Sequence, residues 1–453
     1  MFHQRTAPAA SLHAGRDTAG SWPRPGTARL RADHVADLLT VMLVLYTIHV
    51  LTPVLVAPDF INLELSSEVA ETSESNLVNQ LFWLLATGLG VIAILPVWRR
   101  ALRTVLTSNS WLAGIAGLAL ISAVWAVAPG ISLRRAVLQV MVMFCVVAAV
   151  GGSRSTWHCL MMLYLSMAIG MVVHLAAVAL PGTFDWQGDF RGVFDDKNGL
   201  GAVAAIAILI GGAIRPGLET RVQRRLNLAY LGGWLIIVVL AHSKTSLGMV
   251  VIIPSVVFAL HLLARLTKLS IGIYLTVLPV IIAAVLTFLI GGLGIPPMSL
   301  LALISPDATF TGRTLIWQFA LDSMHGHWLL GYGYQSFWNV GPTSPNLKAD
   351  EPFIHLLNQA HSGYLDVALS IGGVGLFVVL ASVVQGFVSA SRVRVSDPAV
   401  YRTTWVLIIF ALLHNGTETS LVRGYAPPWL FLLFALTLAA RAADERRYSP
   451  ARD

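Results

Sequence analysis

Charge, cysteine and metal-binding patterns are all scarce in this sequence, and each scarcity closes off a class of protein. Only 12% of its 453 residues are charged while 56% are hydrophobic, and the mean hydropathy is +0.72. A soluble globular domain does not carry that balance. The two cysteines, Cys145 and Cys159, fall in or beside apolar runs, so neither a disulfide framework nor a thiolate metal site is supported. His325 and His327 come with no H-E-x-x-H pattern and no carboxylate cluster, which speaks against zinc and leaves no cofactor expected. Nor is there an internal repeat, or a soluble domain large enough for its own active site.

Long apolar runs, by contrast, are abundant. A span needs roughly 20 mostly apolar residues, and that rule gives 12 candidates, at 35–57, 79–98, 111–128, 133–150, 158–180, 199–214, 227–241, 245–265, 271–293, 362–389, 402–414 and 427–441. The expected fold is therefore all-α and polytopic: a disordered cytoplasmic tail over 1–33, a transmembrane domain over 34–441 with one long loop at 294–361, and a second cytoplasmic tail over 442–453. The run from Val35 to Val56 is too long for a signal-peptide core and lacks a small-residue cleavage site, so it is expected to stay as the first span.

The net charge of +7 does not point to nucleic acid once its distribution is followed. With both termini cytoplasmic, 22 of the 30 Lys and Arg fall on the inner side, while the loop from Asp59 to Asn76 has acids and no base. That is the positive-inside pattern. The rule disfavours the remaining bases, Arg134, Arg135, Arg191, Lys197, Lys244, Arg313, Lys348 and Arg423, so each needs a partner or a task on the outer side.

Nearly all the unusual chemistry lies in the outward loops. FRGVFDDKNGLG, from Phe190, sets Arg191, Asp195, Asp196, Lys197 and Asn198 between two apolar runs, and His242-Ser-Lys244-Thr is a polar turn. Thr311 to Met324 repeats apolar residues at helical spacing and reads as an interfacial amphipathic helix. Thr311 is a suitable N-cap that puts Arg313 in the first turn, where free N–H groups and a guanidinium together suit a phosphate; an Arg reaching to lipid headgroups is the other reading. Trp328, Tyr332 and Tyr334 read first as an interfacial aromatic belt, with stacking on a sugar ring as the alternative. His361 stands at the mouth of the tenth span, either as an ordinary interfacial residue or as a proton acceptor. Asp366, in the YLD that begins at Tyr364, is costly in lipid and should face a polar interior.

Taken together, these segments resemble the O-antigen ligase and polymerase superfamily, in particular its exopolysaccharide polymerase branch. The likeness rests on SAVWAVAPGISLRRA from Ser122, on FRGVFDDKNGLG followed by SKTSLG from Ser243, on GRTLIWQFALDSMHGHWLLGYGYQSFW from Gly312 with AHSGYLDVALSIGGVGL from Ala360, and on HNGTETSLVRG from His414. It covers about Ser122 to Trp429 in consistent order and spacing. Two positions depart from the family pattern: Asp196 stands where His is usual, and Ser362 where Asn is usual. With Asp196 in that place, the contact to a phosphate weakens or Lys197 becomes the partner of the acid.

The resemblance implies a GT-C-like, metal-independent, inverting glycosyltransferase at the periplasmic face of a bacterial inner membrane. Its donor would be a polyprenyl-diphosphate-linked oligosaccharide embedded among membrane lipids, with a chain-length regulator and a flippase as pathway partners. Arg191 and Arg313 are then the expected diphosphate ligands, helped by Lys197, Lys244 and Arg423, with Asp195, Asp196, Asn198, Tyr364 and Asp366 in support. His361 and Glu418 both remain candidates for the base. Polymerisation of repeat units is the expected reaction, because Asn415 to Ser420 resembles the polymerase branch; ligation of a finished chain to lipid A core is the alternative, and glycolipid transport is disfavoured, since transporters tend to carry paired repeats and midplane charges, whereas these charges cluster at one face.

Overall fold

Backbone N–H and C=O groups in an apolar surrounding must be paired within the chain, and in the computed structural model helices pair them. The structure describes residues 27–51, 77–269, 288–295 and 312–448, with residues 271, 274 and 285 between them. Among these the main elements are α1 (Thr27–Thr47), α2 (Leu77–Ile94), α3 (Trp98–Ser108), α4 (Trp111–Ile121), α5 (Pro129–Gly152), α6 (Thr156–Ala177) and α7 (Lys197–Ile214). They continue as α8 (Arg221–Leu240), α9 (Lys244–Thr267), α10 (Arg313–Ser323), α11 (Gly363–Arg392), α12 (Pro398–His414) and α13 (Pro427–Tyr448).

Each expected span falls on one of these helices except the one at 271–293, most of which lies outside the described residues. Six stretches among the described residues are long and apolar enough to cross a membrane by length and composition: Leu77–Ser108, Pro129–Gly152, Thr156–Ala177, Lys197–Gly217, Lys244–Thr267 and Gly363–Arg392. Trp111–Val124 and Pro398–His414 are shorter apolar helices. The protein is an all-α polytopic membrane protein. Its expected tails need trimming: α1 begins at Thr27 and α13 runs to Tyr448, while residues 1–26 and 449–453 lie outside the described residues. Helix α3 was not anticipated, because WRRALRTVLTS alternates bases with apolar residues instead of reading as a span.

Helix ends are set by local chemistry. Asp196, Thr220 and Asp397 cap α7, α8 and α12 through side-chain oxygens that accept backbone N–H groups, and Pro129 opens α5 where its missing N–H costs nothing. Helix α13 is buried on every side from Pro428 to Asp444, as a helix at the centre of a bundle must be. It packs against α3, α5, α7, α11 and α12. At its C-terminal end Arg441 donates to the Ser153 carbonyl at 2.9 Å, and Asp444 and Glu445 pair with Arg103 and Arg100.

At the opposite end of the bundle the loops around 122–129, 178–196, 241–244, 324–362 and 415–426 gather. Helix α11 is broken there at Ile371–Gly372. The Gly373 N–H donates to the Trp328 carbonyl at 2.7 Å and the Tyr332 N–H to the Leu369 carbonyl at 2.7 Å, so the chain at 328–332 takes over pairing that the break released. Gly372 has φ +69, and a β-carbon there would sit 2.0 Å from the Leu329 oxygen, so only glycine fits. Residues Ile316, Ala320, Met324, Phe337, Trp338, Ile354, Ala360 and Leu369 form a small second core beneath this loop.

Candidate functional site

Three segments far apart in sequence meet at that loop end. Helix α10 starts at Arg313 after Gly312, which takes the left-handed N-cap position; Thr311, the expected cap, lies outside the described residues. The Arg313 Nη2 donates to Glu418 Oε1 at 2.7 Å, and His361 Nδ1 stands 3.5 Å from Glu418 Oε2. The last contact is at the outer limit of a hydrogen bond. His361 itself has φ +50, a conformation uncommon for residues other than glycine and worth noting where chemistry is done.

The surroundings fix these three side chains. The Trp317 indole donates to the Ala360 carbonyl at 3.0 Å, which ties α10 to the residue before His361. The Gly363 N–H donates to both the Asn415 and Glu418 carbonyls at 3.0 and 3.1 Å. A β-carbon on Gly363 would lie 1.9 Å from the Asn415 side-chain oxygen, so this close approach requires glycine. Asn415 holds its own loop by accepting from the Ser420 and Leu421 N–H groups. Burial alone would raise the Glu418 carboxyl, but the His361 hydrogen bond and the charges of Arg313, His361 and His414 outweigh it and hold Glu418 below the ordinary carboxylate range. Glu418 is thereby an ionised anchor.

The other expected residues divide. Asp366 lies one step below His361, accepting the Trp338 indole at 2.7 Å, the Ala360 N–H at 3.0 Å and the Thr419 hydroxyl. Tyr364 donates to the Leu412 carbonyl at 2.6 Å and fastens α11 to α12. Arg423 donates to Gln359 Oε1 at 2.6 Å. Together with Arg135, Tyr334, Gln335, Trp338, Asp366 and Thr419 it lines a cavity of about 130 Å³.

FRGVFDDKNGLG stands beside this site but does not use its charges as expected. Arg191 folds onto the carbonyls of Gly182 and Asp195 at 3.2 Å. Lys197 pairs with Asp189 and not with Asp196. Asp196 accepts the Asn198 and Gly199 N–H groups at 2.7 and 2.9 Å as the cap of α7, because a carboxylate at a helix start finds free N–H donors nearer than any side-chain cation. Asp195 is exposed, the Asn198 oxygen accepts the Ser243 hydroxyl at 3.3 Å, and Lys244 is exposed at the start of α9 with no ion pair among the described residues. Tyr334 is an interior residue and not part of a surface belt: it is 1% exposed and donates to the Val422 carbonyl at 2.7 Å.

Sequence reading passed over four participants. Asp189 draws both Lys197 and His242, the latter at 2.6 Å, and these two bonds hold its carboxyl below its usual range. Gln359 sits beside the expected base. His414 is buried, its Nδ1 has no hydrogen-bond partner among the described residues, and it lies close to the charges of Glu418 and Arg313. Arg135 was flagged only as a base on the disfavoured side; its adjacency to Arg134 at the start of an apolar run was the available signal.

Cationic, ionised acidic and imidazole groups thus converge at one end of an all-helical membrane bundle. Residues 229–380 match the family model of O-antigen ligases. The chain is also 23% identical over 313 residues, 66% of its length and 69% of the relative's, to the exopolysaccharide production protein ExoQ of Rhizobium meliloti (strain 1021). Both findings support the O-antigen ligase and exopolysaccharide polymerase superfamily and a glycosyltransferase-like enzyme. The O-antigen ligase match takes in Lys244, Arg313 and His361, whereas Arg191 precedes it and Glu418 follows it.

Proposed function

We propose that this protein polymerises polyprenyl-diphosphate-linked oligosaccharide repeat units into exopolysaccharide at the periplasmic face of the bacterial inner membrane, with both termini in the cytoplasm. The observation that carries this reading is the meeting of Arg313, Glu418 and His361. One guanidinium N–H donor is given to Glu418, and the others suit a diphosphate, which Arg binds bidentately. Arg191 and Lys244 add positive charge on neighbouring loops. Stabilising the departing diphosphate is the main electrostatic contribution.

Glu418, kept ionised, accepts the proton-bearing Nδ1 of His361 and so turns the other ring nitrogen toward the acceptor as base. The acceptor hydroxyl oxygen attacks the anomeric carbon from the face opposite the diphosphate. The bond from that carbon to the diphosphate oxygen breaks with its electron pair going to the leaving group, the hydroxyl proton passes to His361, and the configuration inverts. No step is assigned to a metal, and EDTA should leave the reaction intact.

The family description favours a second reading, transfer of a finished chain to lipid A core, in which every residue keeps its role. Reconstituting the protein in liposomes with a lipid-diphosphate repeat unit, with EDTA present, separates the two. A ladder of lengthening chains is expected. Products that form only when lipid A core is supplied would assign the ligase reaction instead. Labelled lipid crossing the bilayer without any new glycosidic bond would contradict both. A flippase and a chain-length regulator are the natural pathway partners.

A further inference from the structure

The cavity that Arg135 and Arg423 line has an electrostatic peculiarity. Arg135, from the first turns of α5, donates to the Gln335 carbonyl, and Arg423 donates to the Gln359 amide oxygen. Both acceptors are neutral. Neither arginine forms an ion pair among the described residues, and their charges act on one another. Gln335 joins the two walls, since its amide N–H donates to the Val422 carbonyl beside Arg423. The one carboxylate in the lining, Asp366, already accepts from Trp338, Ala360 and Thr419. Two half-buried like charges face one cavity, each hydrogen-bonded to a neutral group, with Asp366 acting on Arg423 only through space, and their desolvation costs free energy that a directly bound anion would relieve.

The rest of the lining suits a saccharide. Trp338 offers an aromatic wall, and Asn358, Ser370 and Thr419 offer hydrogen-bonding side chains. The cavity is also next to the candidate base: Gln359 lies two residues before His361, and Thr419 follows Glu418. A sugar anchored there would present a hydroxyl toward the Arg313–Glu418–His361 cluster.

We infer that this cavity is an acceptor subsite for an acidic sugar, with Arg135 and Arg423 holding a carboxylate-type substituent separately from the diphosphate. The inference rests on the polymerase or ligase reading for what the sugar is used for, but the binding itself does not. The same two arginines would suit a phosphate group, so the diphosphate of the donor is the competing source of the anion.

The test measures binding to the purified full-length protein in detergent. Three probes are used: a glucuronic-acid-terminated tetrasaccharide, its glucose-terminated counterpart and geranyl diphosphate. The wild-type protein should prefer the acidic tetrasaccharide by about 10- to 100-fold, the range for charge-assisted hydrogen bonds. Arg135→Gln and Arg423→Gln should each remove that preference while keeping geranyl diphosphate binding, with an unchanged unfolding midpoint as the report of an intact fold; Arg423→Lys should restore part of it. Equal affinity of the wild type for the two tetrasaccharides would overturn the inference. So would loss of geranyl diphosphate binding in Arg135→Gln or Arg423→Gln protein that keeps the wild-type unfolding midpoint, which would give the cavity to the donor diphosphate. A wild type that keeps the acid preference but does not bind geranyl diphosphate would uphold the subsite and refute the proposed donor.

Discussion

Two clusters at the loop end of the bundle are made of the same parts: one carboxylate, one Lys or Arg and one histidine. Asp189 holds Lys197 and His242, whereas Glu418 holds Arg313 and His361. The first bridges its two partners through one carboxylate. Asp189 Oδ2 takes Lys197 and Oδ1 takes His242 at 2.6 Å, whose side chain is 64% exposed as a clasp across the surface. The second is unfinished. His361 stands off at 3.5 Å and is 28% exposed, Arg313 has donors to spare, and two arginines that form no ion pair among the described residues line the cavity alongside. What separates a fastening from a candidate active site is therefore the neighbourhood, the arginine-lined cavity alongside Glu418, since composition is the same in both.

That contrast can be broken at several points. The largest expected effect is His361→Ala, which should lower turnover about 100- to 10,000-fold while lipid-linked donor still binds; the matching change in the clasp, His242→Ala, should leave turnover unchanged. Next, Arg313→Gln should cost about 100- to 1000-fold in turnover, the scale of losing one preorganised transition-state donor, and should weaken donor binding as well, as a binding titration with geranyl diphosphate would show. Gly372→Ala forces a left-handed residue onto the Leu329 oxygen and should lower thermal stability by at least about 1–3 kcal/mol, read as a drop in the unfolding midpoint.

The smallest effect concerns pH. Glu418 and Asp189 are both depressed in the folded protein, so the stability each contributes is complete above the ordinary values of 4.5 and 3.8 and is lost as pH falls through the lower folded values. Thermal melts from neutral to acid pH should steepen in that acid range. Asp189→Asn should flatten the fall without touching turnover at neutral pH; unchanged acid sensitivity in that variant would show that Asp189 is not part of the fastening.

Most of the fold was legible because a lipid-facing helix must announce itself by length and apolarity. The break in α11 was not, since IGGVG reads as apolar sequence and only the docking of 328–332 makes Gly372 a turning point. In the site, Arg313, Glu418 and His361 were each visible as polar residues at span ends, but their meeting depends on α10 folding back onto α11 through Trp317 and Ala360. The charges of FRGVFDDKNGLG misled, because a local competition was hidden: Asp196 is captured by helix-start N–H groups, and Lys197 by Asp189 just upstream. Arg135 escaped because its role comes from Gln335 and Arg423, both distant in sequence.

We propose that the cluster on Glu418, and not the one on Asp189, transfers sugar from a lipid diphosphate. The most direct measurement follows polymer ladders from liposomes holding wild-type, His361→Ala or His242→Ala protein with a lipid-diphosphate repeat unit, with donor binding measured on the same preparations. Full ladders are expected from wild type and His242→Ala, and no ladder from His361→Ala although donor is bound. An undiminished ladder from His361→Ala would contradict it.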